Sequence, residues 1–231
     1  MLDIADNLNS VRARIRNVEQ RYGRAAGSVE LLAVSKTKPA SMVQEAINAG
    51  QTEFGENYVQ EAVEKINALA QTALQWHFIG PIQSNKTRLL AENFSWVQSV
   101  GRLKIAQRLS DQRPAALPAL NICLQVNISD EASKSGLKPD ELASTVESVV
   151  KLPRIVLRGL MAIPAKHSEF EKQRQPFKLM RECLQDLNRQ FDLQMDTLSM
   201  GMSSDLEAAI AEGATIVRVG TDVFGAREYK V

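Results

Sequence analysis

Lys36 closes an apolar run, Leu31-Leu32-Ala33-Val34-Ser35-Lys36, and is followed by Thr37-Lys38-Pro39. An ammonium group at the end of a buried strand is costly to desolvate. Burial lowers a lysine pKa, and a neutral lysine is a nucleophile toward aldehydes and other carbonyls. The pattern points to an imine-forming lysine at a strand mouth; a lysine snorkelling into water is the alternative. Arg218 is the second charge out of place, within Ile216-Val217-Arg218-Val219-Gly220. Alternation puts Ile216, Arg218 and Gly220 on one face of a strand. If that face is interior, the guanidinium needs either a structural carboxylate or an atom of a ligand near Lys36. Two stretches could take an anion: Ser199-Met200-Gly201-Met202-Ser203-Ser204-Asp205 and Arg218-Val219-Gly220-Thr221. Glycine followed by hydroxyls at a helix start offers free N–H groups and a positive dipole end to a phosphate. Simple N-capping by Ser203 or Ser204 is compatible with that use.

A ligand with an aldehyde, a phosphate and a hydrogen-bonding ring atom satisfies all three features. Pyridoxal 5'-phosphate (PLP) is such a ligand, and an arginine beside its ring nitrogen is a known type of partner. Asn57 is then placed to reach the ring hydroxyl. His77 and Met161 are candidates to pack near the ring, though both also read as core.

These residues need a frame that brings strand ends together. Short apolar runs alternate with amphipathic stretches along the whole chain. The runs predict strands over Val29–Lys36, Glu53–Asn57, Gln75–Gly80, Trp96–Val100, Leu120–Ile128, Ile155–Ile163, Thr197–Gly201 and Thr215–Gly220. Helices are expected over Ser41–Ala49, Val59–Ala70, Ser84–Glu92, Arg102–Asp111, Pro139–Lys151, Glu169–Arg189 and Ser204–Glu212, with Ser41, Ser84 and Ser204 as caps or first-turn residues. Gly50 and Gly213 sit where helices should stop. An extra helix comes first, because Ile4, Leu8, Val11, Ile15, Val18 and Tyr22 recur at spacings of three and four. Arg12, Arg14, Arg16 and Arg21 fall on its other faces and read as a solvated surface. Regular alternation implies parallel strands with right-handed crossovers, and eight units imply a (β/α)8 TIM barrel. A doubly wound open sheet is the alternative, but no GxGxxG follows any strand. Residues 1–231 are expected to form a single domain, since no linker or low-complexity segment interrupts them.

Composition narrows the partners. The net charge of +1 offers no field for nucleic acid or an anionic membrane. The N-terminal stretch carries Asp3, Asp6 and Glu19 and has no apolar signal core. No run has the length of a membrane span. Cys123 and Cys183 read as inert thiols, which suits a cytoplasmic setting. His77 and His167 are the two histidines, and neither lies in a zinc-ligand spacing.

The chain resembles the YggS/PROSC family of pyridoxal phosphate homeostasis proteins. The resemblance rests on Ala33-Val34-Ser35-Lys36-Thr37-Lys38, Phe54-Gly55-Glu56-Asn57-Tyr58, Trp76-His77-Phe78-Ile79-Gly80-Pro81-Ile82-Gln83-Ser84-Asn85-Lys86, Gly159-Leu160-Met161-Ala162-Ile163, Leu198-Ser199-Met200-Gly201-Met202-Ser203 and Arg218-Val219-Gly220-Thr221. These segments run through nearly the whole chain in order. The resemblance implies a barrel of the fold-type III kind, similar to that of alanine racemase, with the cofactor lysine at Lys36. It implies phosphate contacts at Ser203, Gly220 and Thr221, with Met202 alongside, and a ring-nitrogen partner at Arg218. The implied role is PLP (vitamin B6) homeostasis and amino-acid balance without firmly established catalysis.

An arginine facing the ring nitrogen keeps that nitrogen unprotonated and weakens the ring as an electron sink. Fold-type III racemases also take a second base from a partner subunit, held by a second β-domain. The chain ends at Val231, soon after the eighth strand, so no such domain is expected, and a monomer follows. The expectation is therefore a PLP carrier, with PLP-dependent apo-enzymes or B6-metabolising enzymes as candidate recipients. A PLP-dependent amino-acid racemase or related lyase is the alternative, and a cofactor-free Schiff-base aldolase a third reading. Lys134, in the loop after the fifth strand, is expected either to assist cofactor loading and release or to be a solvated loop lysine.

Overall fold

A computed structural model of the chain describes residues 3–69, 74–129 and 135–226. Lys134 lies outside the described residues. Eight parallel strands close into a barrel in sequence order, with the eighth pairing the first. They are β1 (Glu30–Val34), β2 (Glu53–Glu56), β3 (Gln75–Phe78), β4 (Trp96–Val100), β5 (Leu120–Val126), β6 (Ile155–Ala162), β7 (Thr197–Ser199) and β8 (Ile216–Val219). Closure rules out the open-sheet alternative.

The helices are α1 (Ile4–Arg21), α2 (Ala40–Asn48), α3 (Val59–Ala68), α4 (Thr87–Asn93), α5 (Leu103–Gln112), α6 (Leu142–Val149), α7 (Phe170–Phe191), α8 (Leu206–Ala211) and α9 (Thr221–Phe224). Seven strands are followed by a full crossover helix. Among the described residues, only the four-residue α9 follows β8. The seam is covered instead by α1, whose buried Ile4, Leu8, Val11, Ile15 and Val18 match the sequence stripe, and which packs against α2, α8 and α9. The extra helix thus completes the outer ring. Among the described residues no helix is long and apolar enough to cross a membrane.

The caps differ from the sequence reading. Pro39 and Asp205 occupy the N-cap positions of α2 and α8, neither with a side-chain capping bond. Ser84 opens a short 3-10 turn ahead of α4. Ser41 is therefore a first-turn residue of α2, as one of its two readings held, whereas Ser204 lies one residue ahead of the cap of α8. The helix stops hold: Gly50 (φ 78°) and Gly213 (φ 99°) are left-handed, a conformation that glycine adopts without a Cβ penalty.

The α1 arginines are not simply a solvated face. Arg12 donates to the carbonyls of Ala49 and Gly50 and to Gln51 Oε1, at 3.0–3.1 Å. Those carbonyls lie at the end of α2, where a helix has unpaired acceptors. Arg14 Nε and Nη2 grip the Glu207 carboxylate at 2.6 and 2.7 Å. Capping and clamping need local geometry that a charge pattern does not carry.

Outward-facing strand residues and the helices form one large apolar core. Trp96, Cys123 and Met161 form a separate cluster inside the barrel. Burial pushes the Cys123 thiol up to about 12, so it stays protonated and inert at neutral pH.

Candidate cofactor site at the carboxyl mouth of the barrel

The carboxyl ends of the strands bring most of the sequence-predicted residues together. Val34 of β1 pairs with Gly55 of β2, and Ala33 pairs with Val219 of β8. Continuing that register places Asn57 opposite Lys36, and Gly220 and Thr221 opposite Val34 and Ser35, the two residues that lead into Lys36. Ser203 follows β7, the next strand round.

Lys36 lies two residues beyond β1 and is half-buried. Its neighbours are fixed by charges that the sequence reading missed. Lys65 Nζ donates to the Ser35 carbonyl and Glu56 Oε1, both at 2.7 Å, and to Glu61 Oε1 at 2.6 Å. Ser35 Oγ donates to Glu56 Oε1 at 2.6 Å. Thr37, left-handed at φ 64°, donates its N–H to Glu61 Oε1 at 2.6 Å. That conformation is costly for a β-branched residue. The backbone on both sides of Lys36 is thus tied to one buried cluster. Two signals could have revealed it: Glu56 interrupts an apolar strand as Lys36 does, and Glu61 with Lys65 is an i,i+4 pair.

Arg218 is interior, with 4% of its surface exposed. Nη1 donates to Ser199 Oγ at 2.8 Å and Nη2 to the Ala162 carbonyl at 2.9 Å. Both acceptors are neutral, so among the described residues no carboxylate touches the guanidinium. Burial lowers its pKa to about 10, with Asp205 and Cys123 opposing. It therefore remains a cation at neutral pH.

The loops after the paired strands β7 and β8 are neighbours at this end of the barrel. Gly201 is left-handed at φ 95°, and a Cβ there would sit 2.5 Å from that of Ala209. The Met202 N–H donates to Asp205 Oδ1 at 2.6 Å. The Met202 amide is therefore committed to the loop itself. Ser203 is half-buried, and its carbonyl accepts from Arg14 Nη2 at 2.9 Å. Arg14 Nη1 also reaches Asp222 Oδ2 at 3.3 Å, beside Thr221. Gly220 precedes α9, whose first N–H groups lack intrahelical partners. Thr221 itself is exposed.

His77 and Met161 are buried within β3 and β6. His77 lies within β3, stacked on Trp96 at a centroid distance of 5.2 Å. It bonds Glu53 and Gln98. Met161 belongs to the interior cluster with Trp96 and Cys123. Both are buried side chains, in accord with their plainer reading as core.

Two observations fit an imine cofactor with a ring acceptor. One is the interior guanidinium without a contacting carboxylate. The other is Asn57 Oδ1, which is buried without a hydrogen-bond partner among the described residues. Asn57 is held by contact with Gly80, where an added Cβ would lie 2.2 Å from the Asn57 carbonyl oxygen. Gly80→Ala should therefore cost about 1–2 kcal/mol by overpacking, read as a lower urea midpoint at an unchanged slope. An unchanged midpoint would show that the contact is loose.

Comparison with known proteins fits this arrangement. The model of the alanine racemase N-terminal domain matches residues 7–228. The pyridoxal phosphate homeostasis protein of Pseudomonas aeruginosa is 61% identical over 229 residues, covering 99% of this chain and 98% of that protein. The chain belongs to the pyridoxal phosphate homeostasis protein family. The Escherichia coli member of the family is 55% identical over 232 residues, covering 99% of each chain. A solved structure of PipY from Synechococcus elongatus with PLP bound is 37% identical, with a TM-score of 0.85 over 96% of this chain and 100% of that one. The homeostasis family is thus built on the same barrel as the racemase domain.

Proposed function

We propose that this chain holds PLP as a Schiff base on Lys36 and serves PLP homeostasis as a non-catalytic carrier. The observation that carries this reading is Arg218: a buried cation whose hydrogen bonds, among the described residues, go to neutral acceptors, on the strand beside β1. The PLP-bound relative supports it. The Lys36 amine condenses with the aldehyde carbon, forming a C=N bond and releasing water. Arg218 would face the ring nitrogen and Asn57 the ring hydroxyl. Ser203, Gly220 and Thr221 would hold the phosphate, with Met202 shaping their loop. When bound, the cofactor supplies an aldehyde carbon that exchanges amines and a ring that withdraws electrons. Arg218 limits the second property, because a fixed cation keeps the nitrogen unprotonated. Reversible holding and release then follows, with apo-enzymes or B6-metabolising enzymes as recipients. The free thiols Cys123 and Cys183 accord with a reducing cytoplasm. A monomer is part of this reading and is checked by its sedimentation mass.

PLP added to the purified protein should give a yellow species that borohydride bleaches. Peptide mapping should place the reduced adduct on Lys36, and an adduct on Lys38 or Lys65 instead would sink the assignment. A panel of amino acids in deuterated water then tests the carrier role. Rapid α-deuterium incorporation with turnover would establish the racemase or lyase alternative.

A further inference from the structure

Arg218 is one end of a chain of side chains that crosses the barrel interior. Its Nη1 donates to Ser199 Oγ at 2.8 Å, and Ser199 Oγ is 2.6 Å from Gln98 Oε1. Gln98 Nε2 lies 2.8 Å from His77 Nδ1, and His77 Nε2 lies 2.6 Å from Glu53 Oε2. The five residues come from β8, β7, β4, β3 and β2 in turn. Ser199, Gln98 and His77 are all at most 1% exposed, so water does not compete for these bonds.

The bonds run in one direction along the chain. A guanidinium has only donors, so Ser199 Oγ accepts from Arg218, and its own hydrogen goes to Gln98 Oε1. The Gln98 amide turns Nε2 toward the histidine. His77 Nδ1 must then be the acceptor, which puts the ring proton on Nε2, pointing at the Glu53 carboxylate. Burial lowers the His77 pKa, opposed by the hydrogen bond and charge of Glu53, which agrees with a neutral ring. The stack on Trp96, with 8° between the planes, prevents the imidazole from turning to another register.

We propose that Gln98 and His77 are positioning residues that orient the Arg218 guanidinium toward the ring nitrogen of the bound cofactor, acting through Ser199. This rests on the PLP reading above and extends it to residues that never touch the ligand. Ser199 alone could accept from Arg218 in several hydroxyl orientations. With its hydrogen committed to Gln98, its lone pairs are aimed at Arg218, and a polarised chain strengthens each successive bond.

The test compares PLP with 1-deaza-PLP, which keeps the aldehyde, hydroxyl and phosphate but has no ring nitrogen. Gln98→Met should weaken PLP binding about tenfold and shift the imine absorption maximum. Its affinity for the deaza analogue should stay within about twofold of wild type. Equal losses for both ligands, or no loss for either, would overturn the proposal. His77→Phe, which keeps the stack on Trp96, should repeat the pattern and serves if the methionine variant does not fold. Nitrogen-15 NMR of the wild-type protein without ligand should show His77 Nδ1 unprotonated and Nε2 protonated; the opposite tautomer would also overturn it. Wild-type protein that forms no imine with PLP defeats the cofactor reading instead, and the tautomer measurement still decides the chain.

Discussion

Lys65→Met is expected to destabilise the fold by about 3–5 kcal/mol at neutral pH, the range for removing one partner of a buried ion pair. Lys65 is 5% exposed and Glu56 is fully buried. Lys65 is the cation bridging Glu56 and Glu61. Methionine fills similar volume but leaves two carboxylates facing each other, and Glu56 Oε2 already has no partner among the described residues. Burial raises the Glu56 carboxyl above its ordinary range, opposed by the charge and hydrogen bond of Lys65 and by the Ser35 hydroxyl. Without Lys65 it rises further. A carboxyl with a raised folded pKa contributes stability that is present below its unfolded value, about 4.3, and lost as pH rises through the folded value. The variant's deficit should therefore be largest at neutral pH and shrink as the pH falls toward 5. Urea unfolding of both proteins across that window measures it; a deficit independent of pH would mean that Glu56 is not the group left unpaired.

The same variant bears on the cofactor site. Lys65 holds the Ser35 carbonyl, and Glu61 holds the Thr37 N–H. Without Lys65 the Ser35 carbonyl is released and Glu61 loses its counter-ion, so the left-handed Thr37 is held less firmly, and the backbone that presents Lys36 loosens. Borohydride trapping at Lys36 should fall along with stability.

Most of the frame was legible because a parallel barrel writes itself as alternating periods. All eight strands and the seven crossover helices appear where the apolar patterns place them. The ends were less legible. Apolar or small residues continue past several ladders, as at Ser35, Gly80, Ile128 and Gly220, because they line the mouth rather than pair. The four-residue α9 is too short to have a period at all. The caps at Pro39 and Asp205 were hidden because backbone direction set them rather than side-chain bonds.

Legibility within the site followed charge. Lys36 and Arg218 stood out because an ion in an apolar strand is improbable. Gln98 and Ser199 did not, since a neutral polar residue in a strand reads equally well as solvent-facing. Their partnership spans β4 and β7, and only closure of the barrel brings them together. Arg14 was misread for a related reason. Its partners Glu207 and Asp222 are 193 and 208 residues away in sequence, so no local pattern could announce them.

Arg14→Met should raise the dissociation constant for PLP about ten- to hundredfold, ~1.4–2.8 kcal/mol, while changing that for pyridoxal by less than about twofold. Arg14 joins the two loops proposed to hold the phosphate. It grips Glu207 at the start of α8, the Ser203 carbonyl and Asp222 in α9. Among the described residues no other side chain bonds both loops from outside the barrel. Without it, Ser203 and Thr221 must be ordered by the ligand, and that ordering costs affinity. Because Arg14 is partly exposed, its ion pairs contribute little to global stability. The loss should therefore appear in binding rather than in the urea midpoint. Pyridoxal has the aldehyde, ring nitrogen and hydroxyl but no phosphate, so it reports on Lys36, Arg218 and Asn57 without the cradle. Titrating both ligands into both proteins separates the terms: a parallel loss for pyridoxal would place the effect of Arg14 on the barrel as a whole, whereas a loss confined to PLP locates the phosphate between the loops that Arg14 joins.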